Sequence, residues 1–353
     1  MQSKVIQMLQ MMERPAFCVQ RGIITGANQA ALGRMVCIGE PVAPLLVTGK
    51  AEYEAFEGSW LYLTVAPGGI PCPASVRQVD EFHVFTIEPE SSFAEYQVLA
   101  LAAQELRIPL AQAMLSADRL LPDLDLPEDS PAAQQAAWIN RGLAQMYRII
   151  LNMADAARYT ASAAALEIQD VNAVVQELFE QAAPLCEAAG VRLQFTGLPS
   201  PVHSLLNAEQ LERGLYNILS NALKNTPVGG CVNASLTKRG NTLYLTVADT
   251  GSGIDSRKMG DVFNRFLREP SVNDPARGLG LGMTLIRSCA NTHGGTVLLS
   301  ATPETGCKIT MSLPIRLDSS QLSSPQMRID YAGDRHHGLL ELSDSLPYEL
   351  FKP

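Results

Sequence analysis

Asn217 and Asn221 stand four residues apart within GLYNILSNALKNTPVGG at 214–230. On a helix that spacing puts both carboxamides on one face. Leu215, Ile218, Leu219, Ala222 and Leu223 fill the other side. Two carboxamide oxygens can help hold a hydrated Mg²⁺, which prefers oxygen ligands and keeps several waters. Lys224, one turn on, can meet a phosphate. A second segment, VADTGSGI at 247–254, ends a strand at Asp249 and follows it with Gly251 and Gly253. A carboxylate there can accept a hydrogen bond from the exocyclic amine of adenine, and the glycines let backbone pass close beneath a base. A third, RGLGLGMTLIRSCANTHGG at 277–295, sets Gly278, Leu279, Gly280, Leu281 and Gly282 before an amphipathic helix. Backbone amides in such a loop form an anion site. Between the last two lies DVFNRFLREPSVNDPA, where Phe263 and Phe266 can anchor a lid and Arg265 and Arg268 can reach phosphate. A lone glycine loop is usually a turn, and paired asparagines are more often caps. The three segments in this order are hard to explain as accident.

These groups need a scaffold. From about 168 to 315 helical stretches at 171–189, 208–225 and 281–292 alternate with strands at 191–195, 231–236, 242–247, 296–300 and 308–313. That alternation fits a sheet with one face covered by helices. Upstream, Leu99, Ala103, Leu106, Leu110, Ala113, Ala117 and Leu120 repeat in steps of four and three, as do Ile139, Leu143, Met146, Ile150, Met153 and Ala157. This is a heptad seam on each of two long helices. The link LPDLDLPEDSP at 121–131 returns the chain, so an antiparallel hairpin is expected, paired with a second copy as a four-helix bundle. Residues 1 to about 88 read as a small mixed domain with several strands. The segment 316–353 is polar, broken by Pro and Gly, and is expected to be a flexible tail.

The chain has 353 residues, 46% hydrophobic and 18% charged, which predicts packed domains rather than disorder. A net charge of -9 argues against nucleic acid or an anionic membrane as partner. No run reaches about 18 consecutive apolar residues, so no membrane span is expected. The start MQSKVIQMLQMMERP does not read as a signal peptide. Cys18, Cys37, Cys72, Cys186, Cys231, Cys289 and Cys307 are dispersed, which suggests buried free thiols in a reducing cytoplasm. The histidines draw plain readings. His293 is expected to cap a helix or meet its C-terminal dipole, and the adjacent His336 and His337 to be a solvated pair. Trp60 and Trp138 are read as packing anchors, with a sensor cavity the lesser alternative for Trp60.

NILSNALKNTP, DTGSG, FNRF and GLGLG resemble the N box, first glycine box, F box and second glycine box of the sensor histidine kinases, within the wider GHKL ATPase class. The resemblance implies an α+β multidomain chain. It comprises a PAS-like α/β sensor (1–88), a dimerisation hairpin (89–162), an α/β sandwich ATP-binding domain (168–315) and a tail (316–353). It implies ATP and Mg²⁺ as cofactors, Asn217 and Asn221 as metal-holding residues, and Asp249 as the adenine reader. It implies a homodimer, a response regulator or another kinase as partner, and a cytoplasmic location. The family's phosphoacceptor segment corresponds to Gln104-Glu105-Leu106-Arg107-Ile108-Pro109-Leu110. Glu105, the acid/base, is kept, but glutamine replaces the acceptor histidine. A delocalised amide nitrogen is a very poor nucleophile, so autophosphorylation at the usual site is not expected. Ile108 stands where relatives often carry a water-positioning Thr or Asn. Two alternatives stay open: a catalytically silent, ATP-gated dimeric scaffold, and a GHKL ATPase of chaperone or repair type.

Overall fold

The computed structural model describes residues 2–88, 92–161, 165–254, 280–302, 306–317 and 336–353. Helix α1 (Gln2–Gln10) leads into β1 (Ala16–Gln20), β2 (Ile23–Ala27), the short α2 (Gln29–Leu32) and α3 (Lys50–Glu54), then β3 (Trp60–Val65), β4 (Cys72–Val79) and β5 (Phe82–Ile87). These strands alternate buried apolar positions and form an antiparallel sheet in the order β2-β1-β5-β4-β3. Phe17 and Phe85 stack at 4.7 Å in its core.

Helices α4 (Ser92–Asp123) and α5 (Pro131–Ala161) form the expected antiparallel hairpin. Pro131 opens α5, where a missing N–H costs nothing, and Ser130 Oγ accepts from Ala133 N at 3.1 Å. The seam differs from its heptad reading. Ala103, Leu110, Met114, Leu143, Ile150 and Met153 are buried, whereas Leu106, Ala113, Leu120, Ile139 and Met146 face outward. A straight helix drifts from a 3.5-residue repeat, so α4 turns Met114 and Leu121 inward in place of Ala113 and Leu120. With Val98, Leu101, Ile108 and Leu115, the displaced residues are apolar side chains left exposed on the flanks of the hairpin. By length and hydropathy Gln97–Asp123 is also sufficient to cross a bilayer. The expectation of no span did not register this, because Glu105, Arg107, Asp118 and Arg119 interrupt the apolar run. Here the helix pairs along α5.

The third body contains β6 (Glu167–Asp170), α6 (Val171–Ala188), β7 (Arg192–Thr196), β8 (His203–Leu206), α7 (Ala208–Asn225), β9 (Cys231–Arg239), β10 (Thr242–Asp249), α8 (Gly282–Thr292), β11 (Val297–Thr302) and β12 (Gly306–Pro314). Its sheet runs β11-β12-β10-β9-β7, and α6, α7 and α8 cover one face around a single core. Among the described residues of this body, the sequence reading missed the two short strands β6 and β8, which pair with each other.

Two features overturn expectations. The first sheet and the third body are not separate: edge strands β3 and β11 pair antiparallel, Trp60 opposite Leu299 and Tyr62 opposite Val297, giving ten continuous strands. Two unpaired edges satisfy each other's backbone groups. Trp60 packs into the core of the third body rather than lining a sensor cavity. Arg287 of α8 is buried against the Tyr62 ring and paired with Glu88. The second correction concerns the tail. Residues 336–353 are packed: α9 (His337–Glu341) and a 3-10 turn at Tyr348–Phe351 bury Leu340, Leu342, Leu346 and Phe351. Those residues have neither helical nor strand periodicity, so the pattern could not reveal them. The histidine pair is not simply solvated: His336 caps α9 by accepting from Leu339 N, and His337 Nδ1 lies 2.7 Å from Glu212 Oε1. Trp138, half exposed, stacks on Tyr348 at 5.0 Å. Of the seven cysteines four are buried, Cys231 and Cys307 are partly covered, and Cys37 is exposed.

Candidate functional site

Helix α7 carries the two asparagines. Asn207 caps it, its Oδ1 accepting from Gln210 N at 2.8 Å, and Glu209 and Lys224 complement the dipole at opposite ends. Asn217 is only 2% exposed. Its Nδ2 donates to Arg213 O at 2.8 Å, which fixes the amide and leaves Oδ1 on the side away from that carbonyl. That oxygen faces the second glycine box: a Cβ on Gly282 would lie 3.1 Å from it. Asn221, one turn on, is half-buried. Two carboxamides one turn apart on α7 fit a hard divalent ion that keeps most of its waters.

Asp249 closes β10 with only 6% of its surface exposed. Its Oδ1 accepts from Gly251 N at 2.9 Å and Cys307 N at 3.2 Å. Burial pushes its carboxyl pKa up, and the two backbone donors pull it partly back. Gly251 runs so close to Asn225 O that any Cβ there would overlap it. The first glycine box is therefore sealed against the end of α7, which brings Asp249 beside the asparagine helix. Helix α8 begins at Gly282, and among the described residues no side chain caps it; the first N–H groups of a helix form an anion site. Leu281, of the same glycine box, is buried among Leu110, Met114, Ile150 and Leu285 at the hairpin. Thus the glycine box also docks this body on the hairpin.

The structure brings Gly282 against Asn217 Oδ1, and Gly251 against Asp249 and the Asn225 carbonyl at the end of the same helix; Asn221 lies one turn along α7, Gly253 two residues beyond Gly251 and Gly280 two residues before Gly282. Phe263, Arg265, Phe266, Arg268, Gly278 and Leu279 lie outside the described residues. Lys224 is not held for a phosphate: its Nζ sits 2.8 Å from Asp344 Oδ2. Gln104, Glu105 and Ile108 are exposed on α4. Sequence reasoning missed Arg213, which is buried and bonded to Asp155 Oδ2 at 2.7 Å, to Asn152 Oδ1 at 2.8 Å and to Glu341. Only its position one turn before Asn217 could have flagged it.

His293 is a C-cap, as read, but a neutral one. Its Nδ1 lies 2.7 Å from Cys289 O, so that nitrogen carries the proton and Nε2 accepts from Asn207 N at 3.0 Å. Burial pushes its pKa down to about 4. A depressed histidine contributes stability above its unfolded pKa near 6.5, and that contribution is lost as pH falls through the folded value. The displacement corresponds to about 3 kcal/mol. We expect the melting temperature to fall between pH 6.5 and 4, with His293→Gln flattening that slope. Equal slopes in both proteins would remove His293 as the cause.

Residues 206–317 match the family model described as histidine kinase-, DNA gyrase B-, and HSP90-like ATPase. The chain is similar to the alginate biosynthesis sensor protein KinB of Pseudomonas aeruginosa, 27% identical over 294 residues, which cover 82% of this chain and 47% of KinB. It is similar to the histidine protein kinase DivJ of Caulobacter vibrioides, 27% identical over 229 residues, covering 64% of this chain and 38% of DivJ. It therefore spans less than half the length of these two relatives. Among solved structures, full-length ShkA in complex with AMPPNP shares the fold, with a TM-score of 0.51 and 22% identity over 63% of this chain and 46% of that one.

Proposed function

We infer, from a chain that belongs to the sensor histidine kinase family and carries a GHKL-type ATP-binding domain, that its cleft binds ATP with Mg²⁺ and that occupancy of the cleft is the signal it passes on. The observation that carries this reading is the meeting of Asn217 Oδ1 with Gly282, beside Asp249 and Gly251 sealed on Asn225. Asn217 and Asn221 hold the magnesium ion and Asp249 accepts from adenine. The bare start of α8 faces the phosphates. The first sheet, ordered β2-β1-β5-β4-β3, supports a PAS-like sensor. The exposed apolar residues Leu106, Ile108, Leu115, Ile139 and Met146 support a homodimer, because a second hairpin can bury part of this surface. A response regulator is the partner on this reading, and the cytoplasm its location.

Gln104 favours the catalytically silent form of this function. The lone pair of its amide nitrogen is delocalised into the carbonyl and attacks the γ-phosphate very poorly, and Glu105 has no imidazole to orient. Incubation with ATP labelled at the γ-phosphate tests this. The chain should acquire no acid-labile, alkali-stable label, and Gln104→His should acquire it. Label on the unaltered chain mapping to α4 would overturn the reading. Label on His336 or His337 would restore an enzyme with a different acceptor.

A further inference from the structure

We propose that residues 336–353 act as an autoinhibitory strap, in which Asp344 occupies the Lys224 ammonium and ties the nucleotide-binding body to the hairpin; this rests on the nucleotide-binding reading of the cleft. Helix α7 presents Arg213 and Lys224 on its flank, eleven residues or three turns apart, and α5 presents Arg148 opposite them. Three cations on two facing helices repel. The hairpin supplies Asp155, bonded to Arg213 at 2.7 Å. The strap supplies the other two carboxylates. Asp344 Oδ2 lies 2.7 Å from Arg148 Nη1 and 2.8 Å from Lys224 Nζ. Glu341, fully buried, pairs with Arg213 and lies 3.6 Å from Arg148 Nε. One short segment thus balances charge on both helices.

The strap is also fastened by backbone and apolar contacts. Arg141 Nε donates to Ser343 O at 3.1 Å, Gln145 Nε2 to the same oxygen at 3.2 Å, and Asn140 Nδ2 to Phe351 O at 3.1 Å. Leu342, Leu346 and Phe351 enter the core beneath α6 and α7, while Leu340 meets Leu151 of the hairpin. The segment therefore grips α5 with one set of groups and α7 with another.

Lys224 lies on the helix of Asn217 and Asn221, one turn beyond the latter. A polyphosphate brought there by magnesium attracts the same ammonium and repels the Asp344 carboxylate. Linkage makes the effect mutual: nucleotide loosens the strap, and the strap weakens nucleotide binding by the same factor. Adenosine, without phosphates, does neither.

Two measurements on the full chain test this. In calorimetry, Asp344→Asn should bind ATP–Mg²⁺ roughly fivefold or more tightly than the unaltered chain, with adenosine affinity unchanged. In hydrogen exchange on the unaltered chain, saturating ATP–Mg²⁺ should deprotect amides 338–346 and adenosine should not. ATP affinity equal to or below that of the unaltered chain in Asp344→Asn, or unchanged protection under saturating ATP, overturns the strap. An unaltered chain that binds neither ligand instead sinks the nucleotide reading on which it rests.

Discussion

Asp249→Asn binds ATP roughly 10- to 100-fold more weakly than the unaltered chain, while its ligand-free form melts at a higher temperature. Asparagine keeps an oxygen where Asp249 Oδ1 accepts from Gly251 and Cys307, so the loop is expected to hold its shape. It replaces the other oxygen with an amine, which meets the adenine amine donor to donor. Losing a hydrogen bond to a charged group costs about 1.5–3 kcal/mol. Stability moves the other way. Burial raises the folded pKa of Asp249, so the group favours folding below its unfolded pKa and that contribution is lost as pH rises through the folded value. At neutral pH the ionised carboxylate burdens the fold, and the neutral amide relieves it. The gain in melting temperature should vanish in acid. Calorimetry and thermal unfolding read the two effects separately. Unaltered affinity would mean that Asp249 does not read the base.

Arg213→Met destabilises the chain by about 3 kcal/mol and splits its unfolding. Arg213 is buried between Asp155 of the hairpin, Glu341 of the tail and Asn152, and its carbonyl accepts from Asn217. Methionine fills much of the volume but leaves two carboxylates short of a partner. Breaking a buried pair from one side costs about 3–5 kcal/mol. The lower figure is expected because Asp155 retains Arg158 at 3.2 Å and Glu341 retains Arg148 at 3.6 Å. The loss falls on the junction of hairpin, tail and nucleotide body, so denaturant should release that body from the hairpin before either unfolds. A single transition with an unchanged midpoint would show that the junction is held by apolar contacts such as Leu281 and Leu285 alone.

Much of the cleft was legible because its chemistry sits on regular elements. Asn217 and Asn221 are read from a 3.6-residue period, Asp249 from the end of an alternating strand, and Gly282 from the start of an amphipathic helix. Those patterns are local, and the structure agrees with them. What stayed hidden was non-local. Lys224 reads as a phosphate contact until Asp344, over a hundred residues on, is found beside it. Glu341 and Asp344 look like solvating acids in a polar tail, since only tertiary structure reveals the cations they meet. The pairing of β3 with β11 joins two edges whose sequences carry no mark of each other. The heptads predicted two helices and a hairpin, yet mis-set the phase of α4 by one residue at Met114.

The measurement that decides most is calorimetric titration of the folded 353-residue chain with ATP in magnesium buffer. Saturable one-to-one binding that weakens when EDTA removes the magnesium is the expected result. Folded protein that gives no saturable heat would mean that Asn217, Asp249 and Gly282 meet for another reason.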